Sequence, residues 1–358
     1  MTESSATTYE ADVFTKPLID QLQRHPKRIV FPDGEDLRVL QVAQELVRLR
    51  AATPILLGSR EAIEALAAEE GIDLTNSRVL EPAQSCELDL FCERLCRIER
   101  YRGEELPNAR EIISRPLLFA AMMTQYGHAD AFVAGNTSLP AAVFRALLHL
   151  VKPLPQVPRV FSAVAAVAPQ LESFGDEGFL FLADCGLNVD PSVEELASFG
   201  VETGKLAHHY LGRSARVVFL SHSTKGSTKT PSALKVVAAT DLARRQVLSG
   251  GLEVEVDGEL QLDVALDPEA AEVKLPGQKL QSSPDVLVFP NLDAGHIALK
   301  LLQHVAGARI YGQLILGLAR PAAQVPRTVG VEALLGTALA VGVEAIKYHQ
   351  LYPDGEVS

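Results

Sequence analysis

The stretch Lys27–Gly58, KRIVFPDGEDLRVLQVAQELVRLRAATPILLG, decides the fold. Its RIVF segment is typical of a buried strand, and the PDGED segment that follows offers a turn and acidic residues suited to a helix start. Leu37, Leu40 and Val47 then recur at helical spacing, and TPILLG closes the stretch as a second strand. The stretch therefore predicts a β-α-β unit, the building block of parallel sheets.

The same alternation of strand-like and helix-like segments continues along most of the chain. Further strands are predicted at ADAFVAG, VFSAVAAV, GFLFLADCG, ARVVFL and DVLVFP. Helices are predicted near 60–70, 88–101, 109–126, 140–151, 191–211, 231–248, 294–306 and 331–348. The fold class that we predict is therefore α/β, with mostly parallel sheets.

Two proline-rich segments, KPLPQVPR at 152–159 and ARPAAQVPR at 319–327, interrupt this alternation as linkers do. They predict a second α/β domain at 158–319 and a discontinuous first domain made of 1–157 plus 320–358. Because the chain crosses between the domains twice, the last helix has to pack back on the first domain. We expect a cleft between the two domains, a frequent location for small-molecule sites.

Composition limits the possible partners and the compartment. The chain has 358 residues, 47% of them hydrophobic, and a formal net charge of −12, which argues against a nucleic acid or an anionic membrane as main partner. Four cysteines are too few for a disulfide framework, and no pair has zinc-ligand spacing. The first residues lack the basic and apolar regions of a signal peptide, so we expect a cytoplasmic location.

A polar loop, SHSTKGSTK at 221–229, follows the predicted strand ARVVFL and precedes a helix. Its hydroxyl groups, its cations at Lys225 and Lys229, and Gly226 suit an anion, which a helix N-terminus also favours. The common nucleotide-binding loop is excluded, because there Gly precedes Lys and here Lys225 precedes Gly226. A solvated loop, in which Thr230 caps a helix with Pro231 at its first position, explains the composition equally well.

The acidic stretch VDGELQLDVALDPEA, which contains Asp257, Glu259 and Asp263, lacks the spacing of an EF-hand calcium site. We interpret it as a solvated acidic face and expect no metal. No G-x-G-x-x-G follows a predicted strand, which argues against an NAD-linked oxidoreductase.

Several segments together resemble the phosphate acetyl/butyryltransferase family, which is related to the C-terminal domain of large bacterial malic enzymes. They occur in the order of that family and span about residues 27–345. The matching segments are KRIVFPDGEDLRVLQVA, ADAFVAGN, VFRALLHLVKP, LADCGLNVDPS, LSHSTKGSTKTPSALKVV, VDGELQLDVALDP, DVLVFPNLDAGHIALKLLQ and GQLILGLARPAAQVPR.

The resemblance implies a fold like that of isocitrate and isopropylmalate dehydrogenases, usually in a homodimer. It also implies reversible acyl transfer between coenzyme A and inorganic phosphate, as in acetate metabolism, with coenzyme A or acetyl-CoA as substrate and no permanently bound cofactor or metal. Arg145 and Arg327 match arginines of the family that act in catalysis. The matching segments place substrate-binding residues at Asn136, Thr137, Ser138, Ser221, Ser223, Thr224, Lys225, Gly226, Ser227 and His296.

The chain departs from the family pattern at the catalytic base. Pro326 stands where the family has serine, and Ala333 stands where it has the aspartate that deprotonates the coenzyme A thiol. Glu332 is adjacent, but one step along a helix turns a side chain by about 100°. Near RIERYRG, the residues Glu99, Arg100 and Arg102 leave another phosphate-binding arginine of the family unassigned.

Two functions are therefore open at this point. The first is an active phosphate acyltransferase, acting on a CoA thioester, phosphate and acyl phosphate, with an altered base. The second is an acyl-CoA-binding regulatory or assembly module without turnover, like the malic-enzyme appendages.

Overall fold

The computed structural model describes residues 9–98, 108–168, 178–277 and 283–351. The chain divides into two compact units: Met1–Leu150 with Val325–Ile346, and Val151–Gln324 with Lys347–Ser358. Residues 99–107, which include Glu99, Arg100 and Arg102, lie outside the described part.

The first unit is built on four parallel strands in the order β3-β2-β1-β4. These strands are β1 (Lys27–Phe31), β2 (Ala52–Leu57), β3 (Arg78–Leu80) and β4 (Ala131–Ala134). Its helices are α1 (Thr15–Arg24), α2 (Leu37–Arg48), α3 (Arg60–Glu69), α4 (Leu88–Leu95), α5 (Ala109–Ile113), α6 (Pro116–Gln125), α7 (Pro140–Leu150) and α13 (Val331–Leu351), the last belonging to this unit as far as Ile346.

The β1-α2-β2 unit forms as the sequence predicts. Ile29, Val30 and Phe31 are completely buried, as expected for a parallel strand covered on both faces. Asp36 caps α2 by accepting a hydrogen bond from the Arg38 amide. The turn between β1 and α2 needs Gly34, because a Cβ there would lie 2.6 Å from the Leu57 carbonyl oxygen.

The second unit carries a mixed sheet in the order β11-β10-β5-β6-β9-β7-β8. The strands β6, β9, β7 and β8 run parallel to one another, whereas β5 is antiparallel to both β6 and β10, and β10 is antiparallel to β11. These strands are β5 (Phe161–Val167), β6 (Phe179–Ala183), β7 (Ala215–Leu220), β8 (Val254–Leu260), β9 (Val286–Val288), β10 (Arg309–Leu316) and β11 (Ala322–Gln324). The helices are α8 (Val193–Leu211), α9 (Pro231–Gly250), α10 (Leu262–Leu266), α11 (Pro268–Lys274) and α12 (Leu292–His304).

The predicted α/β class with mostly parallel strands is confirmed, and two local predictions are wrong. The single helix expected at 109–126 is two helices, because Pro116 starts α6 and excludes helical backbone at the residue before it. The acidic face expected at 257–269 is not fully solvated, since Glu259 lies in β8 and is only 3% exposed. None of the helices that the structure describes is long and apolar enough to cross a membrane.

Glu344 in α13 is buried, with 6% of its surface exposed, and one of its carboxylate oxygens has no hydrogen-bond partner. Burial raises its pKa from 4.5 to about 8, because an apolar environment disfavours the charged form. The folded protein therefore holds this proton more tightly than the unfolded chain does. The contribution of this group to the free energy of unfolding is therefore fully present below about pH 4.5, and it is lost as the pH rises towards 8.

We predict that Glu344→Gln removes this pH dependence. Between pH 5 and 8 the free energy of unfolding of the native protein should fall, by up to a few kcal/mol, relative to that of the variant. Urea unfolding at a series of pH values measures both. Glu332→Gln, at an exposed position of the same helix, is the control and should follow the native profile. Parallel profiles for native protein and Glu344→Gln would contradict the prediction.

Candidate functional site

In the first unit, a buried carboxylate joins the loops that follow β1 and β4. These strands are parallel neighbours, so the loops leave the same edge of the sheet. Asp33, 7% exposed, accepts hydrogen bonds from the Gly135 amide (2.9 Å), the Asn136 amide (3.0 Å) and the Thr137 hydroxyl. The Asp33 carboxylate therefore fixes the backbone that carries Asn136 and Thr137.

Arg38 ties a third segment, the turn before α13, to these loops. Its guanidinium is paired with Asp36 through Nε (2.9 Å) and Nη2 (2.7 Å), and this hydrogen bonding raises the pKa of Arg38 above its usual value. Nη1 donates to the carbonyl oxygens of Arg327 (2.7 Å) and Val329 (2.9 Å), and Nη2 donates to that of Asn136 (3.2 Å). Sequence reasoning missed this role, because the accepting carbonyls lie 98–291 positions away.

The predicted site residues of the first unit differ in exposure. Asn136 is 4% exposed, Ser138 is partly exposed, and Thr137 and Arg327 are exposed. Arg145 is exposed on α7, and none of the hydrogen bonds described above involves it. The cluster therefore brings together Asn136, Thr137 and the backbone of Arg327.

At position 333, where the resemblance predicts the family's catalytic acid, the side chain is apolar. Ala333 is half-buried in the first turn of α13, and its carbonyl oxygen accepts a hydrogen bond from the Thr337 hydroxyl at 2.7 Å. The neighbouring Glu332 side chain is exposed. Pro326, on the other side of Arg327, has no hydroxyl to offer.

In the second unit, the loops after β6, β9 and β7 leave one edge of the sheet, since these strands are parallel neighbours. Lys235, in α9, holds two of them by donating to the Asp190 carboxylate (2.6 Å) and the Pro290 carbonyl oxygen (3.0 Å). His296, in α12, is exposed, and its Nδ1 lies 3.2 Å from the Cys185 carbonyl oxygen. Lys235 is a second positioning group that sequence reasoning missed.

The predicted anion loop is folded around a buried carboxylate. Glu259 Oε1 accepts from the Ser223 hydroxyl (2.8 Å) and from the Gly226 amide (2.7 Å). Thr224 is buried, and its amide donates to the Ser227 hydroxyl oxygen at 3.0 Å. These contacts turn the hydroxyl groups towards the interior of the loop, where they fix its shape.

Lys225 and the backbone of the same loop also have partners within the protein. Lys225 Nζ contacts the Asp257 carboxylate and donates to the Gly258 carbonyl oxygen at 2.9 Å. Its backbone φ is 46°, and Gly226 follows with φ of 83°, a conformation that favours glycine. The Ser221 hydroxyl accepts from the Ser223 amide at 3.2 Å. What the loop offers to a ligand is its exposed rim, residues 225–227.

The alternative interpretation of this loop as a capped helix start is confirmed in one respect. The Thr230 hydroxyl accepts a hydrogen bond from the Ala233 amide at 3.3 Å, and Pro231 occupies the first turn of α9. His222 Nε2 lies 3.0 Å from the same hydroxyl.

Neither a metal centre nor a further cavity adds to this set of residues in the part of the chain that the structure describes. Across the described ranges, no group of three or more His, Cys, Asp or Glu side chains is arranged to hold a metal ion. A cavity of about 520 Å³ lies beside β7, β8 and α9, lined by residues such as Arg216, Arg244 and Val256, and it includes none of the predicted site residues.

A family model and a curated relative both match most of this chain. A model of the family described as Phosphate acetyl/butaryl transferase matches residues 13–341. The phosphate acetyltransferase of Acetivibrio thermocellus is 34% identical over 332 residues, which are 93% of this chain and 98% of that protein.

Solved structures agree with this sequence match. The EutD phosphotransacetylase from Staphylococcus aureus superposes with a TM-score of 0.83 and 31% identity, covering 93% of this chain and 98% of that one. The 4-hydroxythreonine-4-phosphate dehydrogenase from Klebsiella pneumoniae, at a TM-score of 0.52 and 12% identity, covers 89% of this chain and 99% of that one. The latter likeness concerns the fold alone, and it supports the predicted dehydrogenase-like fold class.

We predict that Arg38→Met loosens the cluster of the first unit. Amide hydrogen exchange should accelerate at 135–137 and 327–330, and the free energy of unfolding should fall by about 1–3 kcal/mol, because three carbonyl groups lose a charged donor. Exchange mass spectrometry with peptide resolution measures the first effect and urea unfolding the second. Arg48→Met, in the same helix but in an exposed pair with Glu45, should change neither. Unchanged exchange at both segments would show that Arg38 does not hold them.

Proposed function

This chain belongs to the phosphate acetyl/butyryl transferase family, and from that premise we propose that it transfers an acetyl group reversibly between coenzyme A and inorganic phosphate. The observation that carries the proposal is the family match over 13–341, together with enzymes of that name that align with over 90% of the chain. The chain is accordingly an acyltransferase, with coenzyme A as a substrate. The alternative of a binding module without turnover is not favoured, since the relatives are named as enzymes.

The reaction sets the requirements for the site. The coenzyme A sulfur attacks the acyl carbon of acetyl phosphate, a C–S bond forms, the C–O bond to phosphate breaks, and the thiol proton passes to a base or to solvent. Negative charge grows on the departing phosphate, which donors and cations stabilise. We assign this role to Arg327 and Arg145, and the Arg38 contacts support it for Arg327 by holding its backbone.

We propose substrate-binding residues in each of the two units. Asn136, Thr137 and Ser138 contribute from the loop after β4 in the first unit. In the second, Ser221, Ser223, Thr224, Lys225, Gly226 and Ser227 form a rigid loop whose exposed rim contacts a phosphate group, and His296 contributes from α12. Because Lys225 is already paired with Asp257, the loop acts mainly through its shape and backbone groups.

The missing aspartate affects the rate rather than the type of reaction. Loss of a general base typically costs about 10²- to 10⁴-fold in rate. The coenzyme A thiol, with a reference pKa of about 8.5, is still partly ionised at neutral pH. Turnover without an acid at position 333 therefore relies on the thiolate fraction, and we expect no permanently bound cofactor.

We further propose a homodimer in the cytoplasm. An apolar stripe on α12 and its C-cap supports the dimer: Ile297, Leu301 and Val305 follow at four-residue spacing and are 59%, 56% and 78% exposed. The unpaired state of all four cysteines fits a reducing compartment.

The central test is a direct assay. Purified protein mixed with acetyl phosphate and coenzyme A should form the thioester, recorded by its absorbance. Arg327→Ala should lower turnover by about 10²- to 10³-fold, as for the loss of one charge-stabilising donor. Arg24→Ala, at an exposed position of α1, is the matched control and should keep the native rate. Absence of thioester above background, with acetyl-CoA still bound in calorimetry, would refute catalysis and favour the binding module.

A second prediction concerns the altered base. Ala333→Asp restores a carboxylate in the first turn of α13, where the helix dipole favours negative charge, and should raise turnover at neutral pH by about tenfold or more. The matched control is Ala333→Asn, which has the same shape but cannot accept the proton. Equal rates for native protein, Ala333→Asp and Ala333→Asn would show that the missing base does not limit the reaction.

A further inference from the structure

The side chain of Asn136 is buried without any hydrogen bond. The residue is 4% exposed, and both Nδ2 and Oδ1 lack a partner. Its backbone, by contrast, is held on both sides, because the amide donates to Asp33 at 3.0 Å and the carbonyl oxygen accepts from Arg38 at 3.2 Å. The amide side chain is therefore kept in place by its own backbone while its polar atoms stay unsatisfied.

Such an arrangement is unfavourable for the folded protein alone. Most buried polar side-chain atoms in proteins have a hydrogen-bond partner, and an unpaired one destabilises the fold. Leucine has nearly the same shape and would avoid this cost. An unpaired amide at this place is explained if a ligand supplies the missing partners.

The charges near Asn136 indicate which ligand group fits. The Asp33 carboxylate holds the same stretch of backbone, and the positive charge of Arg38 is already balanced by Asp36. A phosphate group offers mainly acceptors, so it would pair with Nδ2 and leave Oδ1 without a partner. A neutral group that offers one donor and one acceptor side by side matches Nδ2 and Oδ1 instead, and an amide is such a group.

We infer that Asn136 binds an amide group in the pantetheine arm of coenzyme A. Nδ2 donates to the carbonyl oxygen of the ligand amide, and Oδ1 accepts from its N–H. This inference rests on the proposed function, because it assigns part of the coenzyme A substrate to the loop after β4. Since both amide atoms are covered by protein, binding includes a local opening of that loop, whose following residues Thr137 and Leu139 are exposed.

The experiment combines stability with binding. Asn136→Leu should raise the melting temperature by about 2–4 °C, because two unpaired polar atoms are removed. The same variant should raise the KM for coenzyme A about tenfold or more and leave the KM for phosphate unchanged, since two hydrogen bonds to the ligand are lost. Pantetheine, which lacks the nucleotide phosphates, should bind the native protein in calorimetry and bind Asn136→Leu about tenfold more weakly.

Thr15→Val, at the start of α1, is the matched control. It removes a buried hydroxyl that donates to the Asp12 carboxylate at 2.9 Å, so it should lower the melting temperature and leave pantetheine binding intact. A merely structural Asn136 would behave like this control, and a lower melting temperature for Asn136→Leu would overturn the inference. Asn136→Ala provides the same binding comparison if the leucine variant does not fold.

The two proposals fail in different ways. If the native protein forms thioester and Asn136→Leu keeps the native affinity for coenzyme A and pantetheine, the inference fails and the proposed function stands. If the native protein forms no thioester but loses pantetheine binding in Asn136→Leu, the proposed catalysis fails and the inference stands.

Discussion

The site of the first unit depends on the hydrogen bonds that the Arg38 guanidinium donates to three backbone carbonyl oxygens. The turn before α13 and the loop after β4 both present backbone carbonyl oxygens that helices and strands do not use, and Arg38 satisfies three of them at once. It can do so because the bidentate pair with Asp36 fixes its orientation at the start of α2. The Arg327 backbone is thereby positioned by a residue that comes from the first β-α-β unit.

Features that depend on residues close together in the sequence could be predicted, whereas features that depend on distant residues could not. The β1-α2-β2 unit was predictable, because hydrophobic spacing and a helix cap are local properties of one stretch. Strands β8 and β10 were missed, because their polar and glycine residues weaken the apolar pattern on which strand prediction depends. The division at Pro116 was visible in the sequence and was overlooked.

The site was less accessible to sequence reasoning for the same reason. The polar composition of the loop at 221–229 is visible in the sequence. The Asp257 and Glu259 side chains that determine its chemistry, however, lie more than 30 positions away. From composition alone, Lys225 is a free cation and Glu259 a solvated acid; in the structure one is paired and the other is buried. The role of Arg38 likewise depends on carbonyl groups that only the fold brings near.

The acidic residues of β8 have a consequence for the behaviour of the protein in concentrated solution. β8 ends the strand order of the second unit, so one side of its backbone faces no neighbouring strand among those described. An open strand edge can pair with another molecule and start aggregation. Glu255, which is exposed, places negative charge along this edge, and two identical edges would bring these like charges together. The charge of Glu255 thus opposes edge-to-edge pairing of two molecules.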